Sequence, residues 1–377
     1  MSELRVPMAE ELVWANVVRP KVPMCYLDLN HIINMAKSLS DPTKAPAGSR
    51  DLYDSAKRAA DEHRVVFPIS ATHFREVAKI ADHRRRVALT DVFEQLSGFK
   101  YLLGRTQIAR LELDAGIRAL LGEPTGDPVP LIRPTVGQAF GIAGTLKVGD
   151  VSGADRSAAV RALLGDDKYD ELMAQMNLEL ERHLLRGPDD AQRAVLTKDP
   201  RYDPDVIEHG MQSRLDRELD TWPTLDAHPD FPMVRIRDAI AGREFYHEWM
   251  TPFLEILTDR GVEIAEDLPT PEQFAALQAA MPHHQVAVSI KTRYFRNREH
   301  AWTVNDVSDI DAVSVAYAYC EAVFTDKAVR AALADSTELR SMGTFLPRKI
   351  PALIDWLDAR PVVADPETQV LHSLVHR

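Results

Sequence analysis

Apolar positions along the chain fall into short solid runs and longer runs spaced at helical intervals. Val22–Leu27, Val65–Ile69 and Ala322–Thr325 are the clearest solid runs, with Thr344–Leu346 a weaker fourth. Short runs that are apolar throughout suit strands of a parallel sheet covered on both faces. A helical pattern follows each of the first three, which is the alternation of an α/β domain. The spacing predicts two helices within 72–96, carrying Phe74, Val77, Ala81 and then Ala88, Val92, Leu96. It predicts a helix over 106–121 on Ile108, Leu111 and Ala115, and one over 168–186 on Tyr169, Leu172, Met173, Met176, Leu180 and Leu184. Met173 and Met176 read as core. Further helices are expected at 246–258, 310–320 and 271–281, the last opening on Thr270-Pro271-Glu272. Residues 286–296 are ambiguous, because Val286, Val288 and Ile290 alternate; helix is favoured.

Strand material lies toward both ends, and the middle is helical and rich in Pro and Asp. The expected organisation is therefore an α/β core from residues 1–121 and 271–360, a helical insertion over 122–270 and a loosely held tail over 361–377. No repeat or low-complexity tract is seen.

A length of 377 residues with 45% apolar and 27% charged positions fits a folded protein of two or three units and excludes a disordered, collagen-like or disulfide-scaffold chain. The net charge of −12 excludes a globally basic nucleic-acid binder, so a polyanion would need a local basic patch or metal ions. Cys25 and Cys320 both sit in apolar runs, which suits free thiols in a reducing compartment. The opening MSELRVPMAEELVW lacks the pattern of a signal peptide, and no apolar run approaches the roughly 20 residues of a membrane span. A soluble, cytoplasmic protein is expected.

The candidate chemistry lies in where acidic residues fall relative to the strands. Asp28 closes the first run, Asp326 closes another, and Glu76 follows Val65–Ile69 by more than a helical turn. Asp306, Asp309 and Asp311 sit at the start of a helix. In a parallel α/β sheet all strand carboxyl ends share one edge, where ligands bind. Gathered carboxylates repel, and a hard divalent cation removes that cost. Such a cluster implies Mg²⁺ or Mn²⁺ and hydrolysis by metal-bound water. Taken singly, each acid has a plainer reading: Asp28 as a turn or cap, Asp309 as an N-cap, Asp311 as a first-turn charge, Glu76 as a solvated charge.

The segments YLDLNHIINMAKSL, PISATHFREVAKIADHRRRVAL and NDVSDIDAVSVAYAYCEAVFTDKA resemble the PIN-domain nucleases, in particular the larger bacterial PIN-like proteins. The resemblance covers roughly residues 22–120 and 285–360. It implies a Rossmann-like α/β/α sandwich with a central parallel sheet, here carrying a large helical insertion. It further implies a metal-dependent endonuclease, an endoribonuclease above all, binding Mg²⁺ or Mn²⁺ and acting as a toxin or in antiviral (phage) defence, with a regulatory or antitoxin protein as partner. The metal-holding and catalytic residues it implies are Asp28, Glu76, Asp309 or Asp311 or both, and Asp326. Asn30, Ser70, Asp306 and Thr325 would support them. Residues 309 and 311 are two apart and cannot share a helix face, so which of them meets the metal stays open.

Basic residues near these acids would hold the phosphate chain. His83 is followed by Arg84, Arg85 and Arg86. Lys291, Arg293, Arg296 and Arg298 precede the late acids and interleave with Tyr294, Phe295 and Trp302, which suits stacking on unpaired bases. Lys327 and Arg348 could reach the same edge. The alternative is a solvated basic face with the aromatics in the core.

Other motifs fail. His247-Glu248 lacks the second His of a zinc-protease helix, and His283-His284 sit in a turn after Pro282. Gly137, Gly141 and Gly144 fit no nucleotide cradle, and two cysteines cannot build a four-thiolate zinc site. A haloacid-dehalogenase-type phosphatase would need Asp where Asn30 stands. The remaining rival is a non-catalytic adaptor on the same fold, binding nucleic acid or a protein partner through the insertion.

Overall fold

The fold is taken from a computed structural model that describes residues 11–142, 146–203, 205–228, 230, 232–262 and 270–372. Gly144, the opening residues 1–10 and the last residues 373–377 lie outside these. The chain is mixed α/β and mostly helical, with small sheets that include a parallel one.

Seven short strands occur among the described residues: β1 (Val17–Pro20), β2 (Cys25–Leu27), β3 (Tyr101–Leu102), β4 (Val129–Pro130), β5 (Ile132–Arg133), β6 (Ala322–Phe324) and β7 (Gln369–Leu371). At the centre β2 and β6 run parallel, with Cys25, Tyr26 and Leu27 opposite Ala322, Val323 and Phe324. Parallel bridges extend this pair on both sides. Met24 pairs with Val66 and Ile69 with Tyr101 on one side, and Ala322 pairs with Phe345 on the other. Numbered along the chain, these five segments lie in the order 3-2-1-4-5. Val65–Ile69 contributes two bridges instead of a continuous strand. Pro68 interrupts it, having no N–H to give to a ladder. The Thr344–Leu346 segment makes one bridge and then meets Pro347.

A second small sheet has the order β4-β1-β7, with β4 parallel and β7 antiparallel to β1. It corrects two expectations. Residues 122–270 are not purely helical, because β4 joins β1 and β5 pairs with β3. Part of the 361–377 tail is anchored: β7 lies along β1, and Lys21 N–H donates to the Thr368 carbonyl at 2.9 Å.

The helices follow the apolar spacing closely. Ala71–Lys79, His83–Ser97, Arg105–Leu121, Asp166–Arg186 and Pro271–Ala280 fall where expected. Thr270 caps the last of these in a reciprocal box with Gln273. The ambiguous segment is the helix Pro282–Arg296, buried on every side from His283 to Thr292. A helix buried all round shows no amphipathic stripe, which is why its β-branched residues mimic alternation. It packs along Val304–Tyr319, itself buried from Ile310 to Tyr319. Met173 is core, but Met176 and Leu184 are each 37% exposed; Leu185 and Glu181 turn inward instead. Cys25 and Cys320 are buried free thiols. Among the described residues no helix is long and apolar enough to cross a membrane.

Candidate active site

Asp28 and Asp326 end adjacent parallel strands and cap the helices that leave them. The Asp28 backbone N–H donates to the Phe324 carbonyl at 2.9 Å, which ties the two strand ends together. Asp28 Oδ1 accepts from the Asn30 backbone N–H at 3.0 Å, and Oδ2 accepts from the Thr325 hydroxyl at 3.2 Å. The Asp326 carboxylate accepts from the N–H groups of Ala328, at 2.5 Å, and Val329, at 3.0 Å. Both carboxylates thus sit at the positive ends of helices, where negative charge is favoured.

Glu76 and Asp309 reach the same edge from two helices that pack on each other, Ala71–Lys79 and Val304–Tyr319. Burial raises the Asp309 carboxyl to about 8, helped by the charges of Asp28, Glu76, Asp326 and Asp306. Burial likewise raises Glu76 to about 7, with Asp28 adding to it while Lys79 and Arg75 oppose. Four acids from four elements therefore share one field, and two of them hold their protons near neutral pH. Among the described residues no three His, Cys, Asp or Glu side chains stand as a ready metal-holding group.

The supporting residues divide. Thr325 orients Asp28 directly. Asn30 does so through its backbone N–H alone, its side chain being exposed. Ser70 caps Ala71–Lys79, accepting from His73 N–H at 3.2 Å while His73 Nδ1 accepts from Ser70 N–H at 3.1 Å. That box fixes the helix carrying Glu76. Asp306 accepts from Thr303 N–H and hydroxyl, both at 2.7 Å, and so closes the helix start ahead of Asp309.

Asp311 is the main correction. Its carboxylate is held by Arg214, at 2.5 and 2.8 Å, with Arg105 at 3.3 Å and Arg75 at 3.6 Å. Although burial opposes ionisation, Arg214 and Arg105 hold the group far below the usual carboxylate range. It points away from the acid site and ties the insertion to the core, as the two-residue offset from Asp309 requires.

Several basic candidates are also structural. Arg86 is 1% exposed, and its guanidinium donates to the carbonyls of Ile80, Ala81, Arg186 and Pro188 at 2.5–3.0 Å. Lys291 is 3% exposed and lies between Glu218 and Glu244. Arg293 pairs with Asp335 at 2.5 Å, and Arg298 pairs with Asp226 at 2.9 Å over the Trp222 ring. Tyr294, Phe295 and Trp302 are core residues, not a stacking surface. Arg84, Arg85, Arg296, Lys327 and Arg348 remain exposed, Arg85 standing 3.5 Å from Asp82.

Two site residues, His31 and Tyr26, escaped the sequence reading, and a third, Tyr294, was read for base stacking instead. The His31 ring stacks on Phe324 with centroids 3.9 Å apart, and its Nε2 is buried with no hydrogen-bond partner. Burial lowers its pKa against the pull of Asp28 and Asp326, which keeps it neutral. The Tyr26 phenol lies 3.5 Å from the Ser70 hydroxyl, where Asp28, Glu76 and Asp309 all act on it. The Tyr294 phenol feels Asp326, Asp306 and Asp309, so this residue adjoins the acids although its ring is core. The available signal was proximity alone: Tyr26 and His31 flank Asp28 in the chain.

No family model, curated protein or solved structure matches this chain.

Proposed function

We propose that the chain is a metal-dependent PIN-like endonuclease that hydrolyses phosphodiester bonds in RNA. The observation that carries this reading is that Asp28, Glu76 and Asp326 all act electrostatically on Asp309, beside the carboxyl ends of parallel strands. The 3-2-1-4-5 order of those strands supports a Rossmann-like core. The chemistry of the donor set fits a hard cation. All four donors are carboxylates, and burial together with the neighbouring negative charges raises two of them toward neutral pH.

Asp28, Asp309 and Asp326 would hold Mg²⁺ or Mn²⁺, with Glu76 facing them. When bound, the cation supplies charge neutralisation and a water of lowered pKa. The protein's own groups do the rest. Thr325 and the Asn30 N–H hold the Asp28 carboxylate in one orientation. Glu76, whose carboxyl titrates near 7, can accept a proton from water at neutral pH. Exposed Lys327 and Arg348 meet phosphates by charge and so confer no sequence preference.

The test is cleavage of labelled RNA and DNA with Mn²⁺, with EDTA, and with Asp28→Asn or Asp309→Asn. Cleavage of RNA that needs the metal and both acids supports the proposal. Intact polymers in every condition would leave the non-catalytic adaptor as the better account.

A further inference from the structure

A cavity between the Ala71–Lys79 and Arg105–Leu121 helices adjoins the acid site through Ser70 and Arg75 but is lined by none of Asp28, Glu76, Asp309 and Asp326. It encloses about 280 Å³, near the lower end of small-molecule sites. Both helices begin at its wall. Ala71 and Thr72 line it from one helix, Arg105 and Thr106 from the other. First-turn N–H groups have no partner inside their own helix. Ser70 caps the N–H of His73 only, and Gly104 brings no side chain to its cap. Two positive helix ends therefore face one space, which favours an anion.

The side chains add to this independently. Arg75, Arg105 and Arg214 line the cavity with Glu248 and Asp311, and Glu244 pairs with Arg105 beside it. Arg105 and Arg214 are largely occupied by those acids. Arg75 is less committed. It donates to the Thr72 hydroxyl at 3.1 Å, touches the Met211 sulfur and stands 3.6 Å from Asp311, while its Nε is buried with no hydrogen-bond partner.

The mouth carries an exposed aromatic. Phe140 is 40% exposed and meets Phe74 edge-on at 5.9 Å. The glycines around it keep the wall close. A Cβ on Gly104 would come within 2.6 Å of the Ala139 carbonyl oxygen, and one on Gly141 would run into the Gln107 amide. A recess of this size that offers the Arg75 guanidinium and two helix starts beside an exposed ring suits a phosphate joined to a base.

We propose that this cavity binds a nucleoside phosphate, its phosphate at Arg75 and the two helix starts and its base against Phe140. The source is either a free nucleotide or the phosphorylated end of a strand. The proposal stands independently of the nuclease reading.

Calorimetric titration of the full chain in EDTA tests it, since no metal then joins ligand to the acid site. The ligands are adenosine monophosphate, adenosine, inorganic phosphate, and short oligonucleotides with and without a 5′-phosphate. The nucleotide is expected to bind at least tenfold more tightly than either adenosine or phosphate. Arg75→Gln should weaken it about tenfold, and Phe140→Ala several-fold. Phe140 is exposed, so that variant keeps its fold, as a thermal melt will verify. Binding by the free nucleotide, by the phosphorylated oligonucleotide alone, or by both upholds the site and names the source. Equal binding with and without the phosphate, phosphate alone as tight as the nucleotide, no binding at all, or wild-type affinity in both variants would overturn it.

Discussion

Removing the Asp309 charge should stabilise the metal-free protein at alkaline pH. Its carboxyl titrates at about 8 in the fold against 3.8 in the open chain. Between those values the native state holds a proton that the unfolded state has released, so stability falls as pH rises from about 4 to about 8. At about 1.36 kcal/mol per pH unit the ceiling is about 6 kcal/mol. Asp309 is half-buried and shares its field with Glu76, so a realised cost of about 2 kcal/mol is the working value. An unfolding entropy of about 2.1 cal/mol/K per residue turns this into a shift of about 2–3 °C for a chain of this length. The assay is a thermal melt of wild type and Asp309→Asn in EDTA at pH 5 and pH 8. The variant should melt higher at pH 8 and no higher at pH 5. A variant that loses the same stability at both pH values would refute the reasoning, because Asp309 would then be an ordinary paired carboxylate.

Asp311→Asn should do the opposite. It leaves three half-buried arginines short of their shared anion and should cost about 3 kcal/mol in a denaturant titration at pH 7, a loss that shrinks in acid as the wild-type carboxylate is protonated. Arg86→Ala should destabilise by about 3 kcal/mol, because four carbonyls lose their donor, yet leave RNA affinity of the folded protein unchanged in a filter-binding assay. The double variant Lys327→Ala and Arg348→Ala should instead keep stability and lower the slope of log affinity against log salt by about 1 to 2. Thr325→Val should lower kcat on RNA about tenfold at unchanged KM, since the hydroxyl orients Asp28 and touches no substrate; a KM effect alone would show a different role.

Elements set by local chemistry were legible in the chain. Helical spacing, with the Thr270 cap, placed helices such as Arg105–Leu121, Asp166–Arg186 and Pro271–Ala280 within a residue or two, because both signals depend on neighbours in sequence, while the starts of Pro282–Arg296 and Val304–Tyr319 lie four and six residues earlier than expected. The paired strands 25–27 and 322–324 could be read because burial on both faces leaves solid apolar runs. The Val17–Pro20 and Gln369–Leu371 strands could not, since each is short and is decided by a partner hundreds of residues away. The acid site was legible up to a choice. The sequence placed Asp28 and Asp326 at strand ends and Glu76 on the helix after Val65–Ile69, but deciding between Asp309 and Asp311 needed the three arginines that claim Asp311. The same long-range pairing misled the reading of Lys291, whose carboxylate partners come from the insertion, and of Arg86, two of whose four carbonyl partners do. A cation in sequence carries no sign of whether it meets solvent or a buried carboxylate.

Manganese binding read by electron paramagnetic resonance tests the acid site most directly. On titrating wild-type protein with Mn²⁺ at pH 8, the free-ion signal should fall below that of a buffer control, and Asp28→Asn or Asp309→Asn should restore most of it. A free-ion signal undiminished by the wild-type protein, or diminished equally by both variants, would contradict a shared cation among these acids.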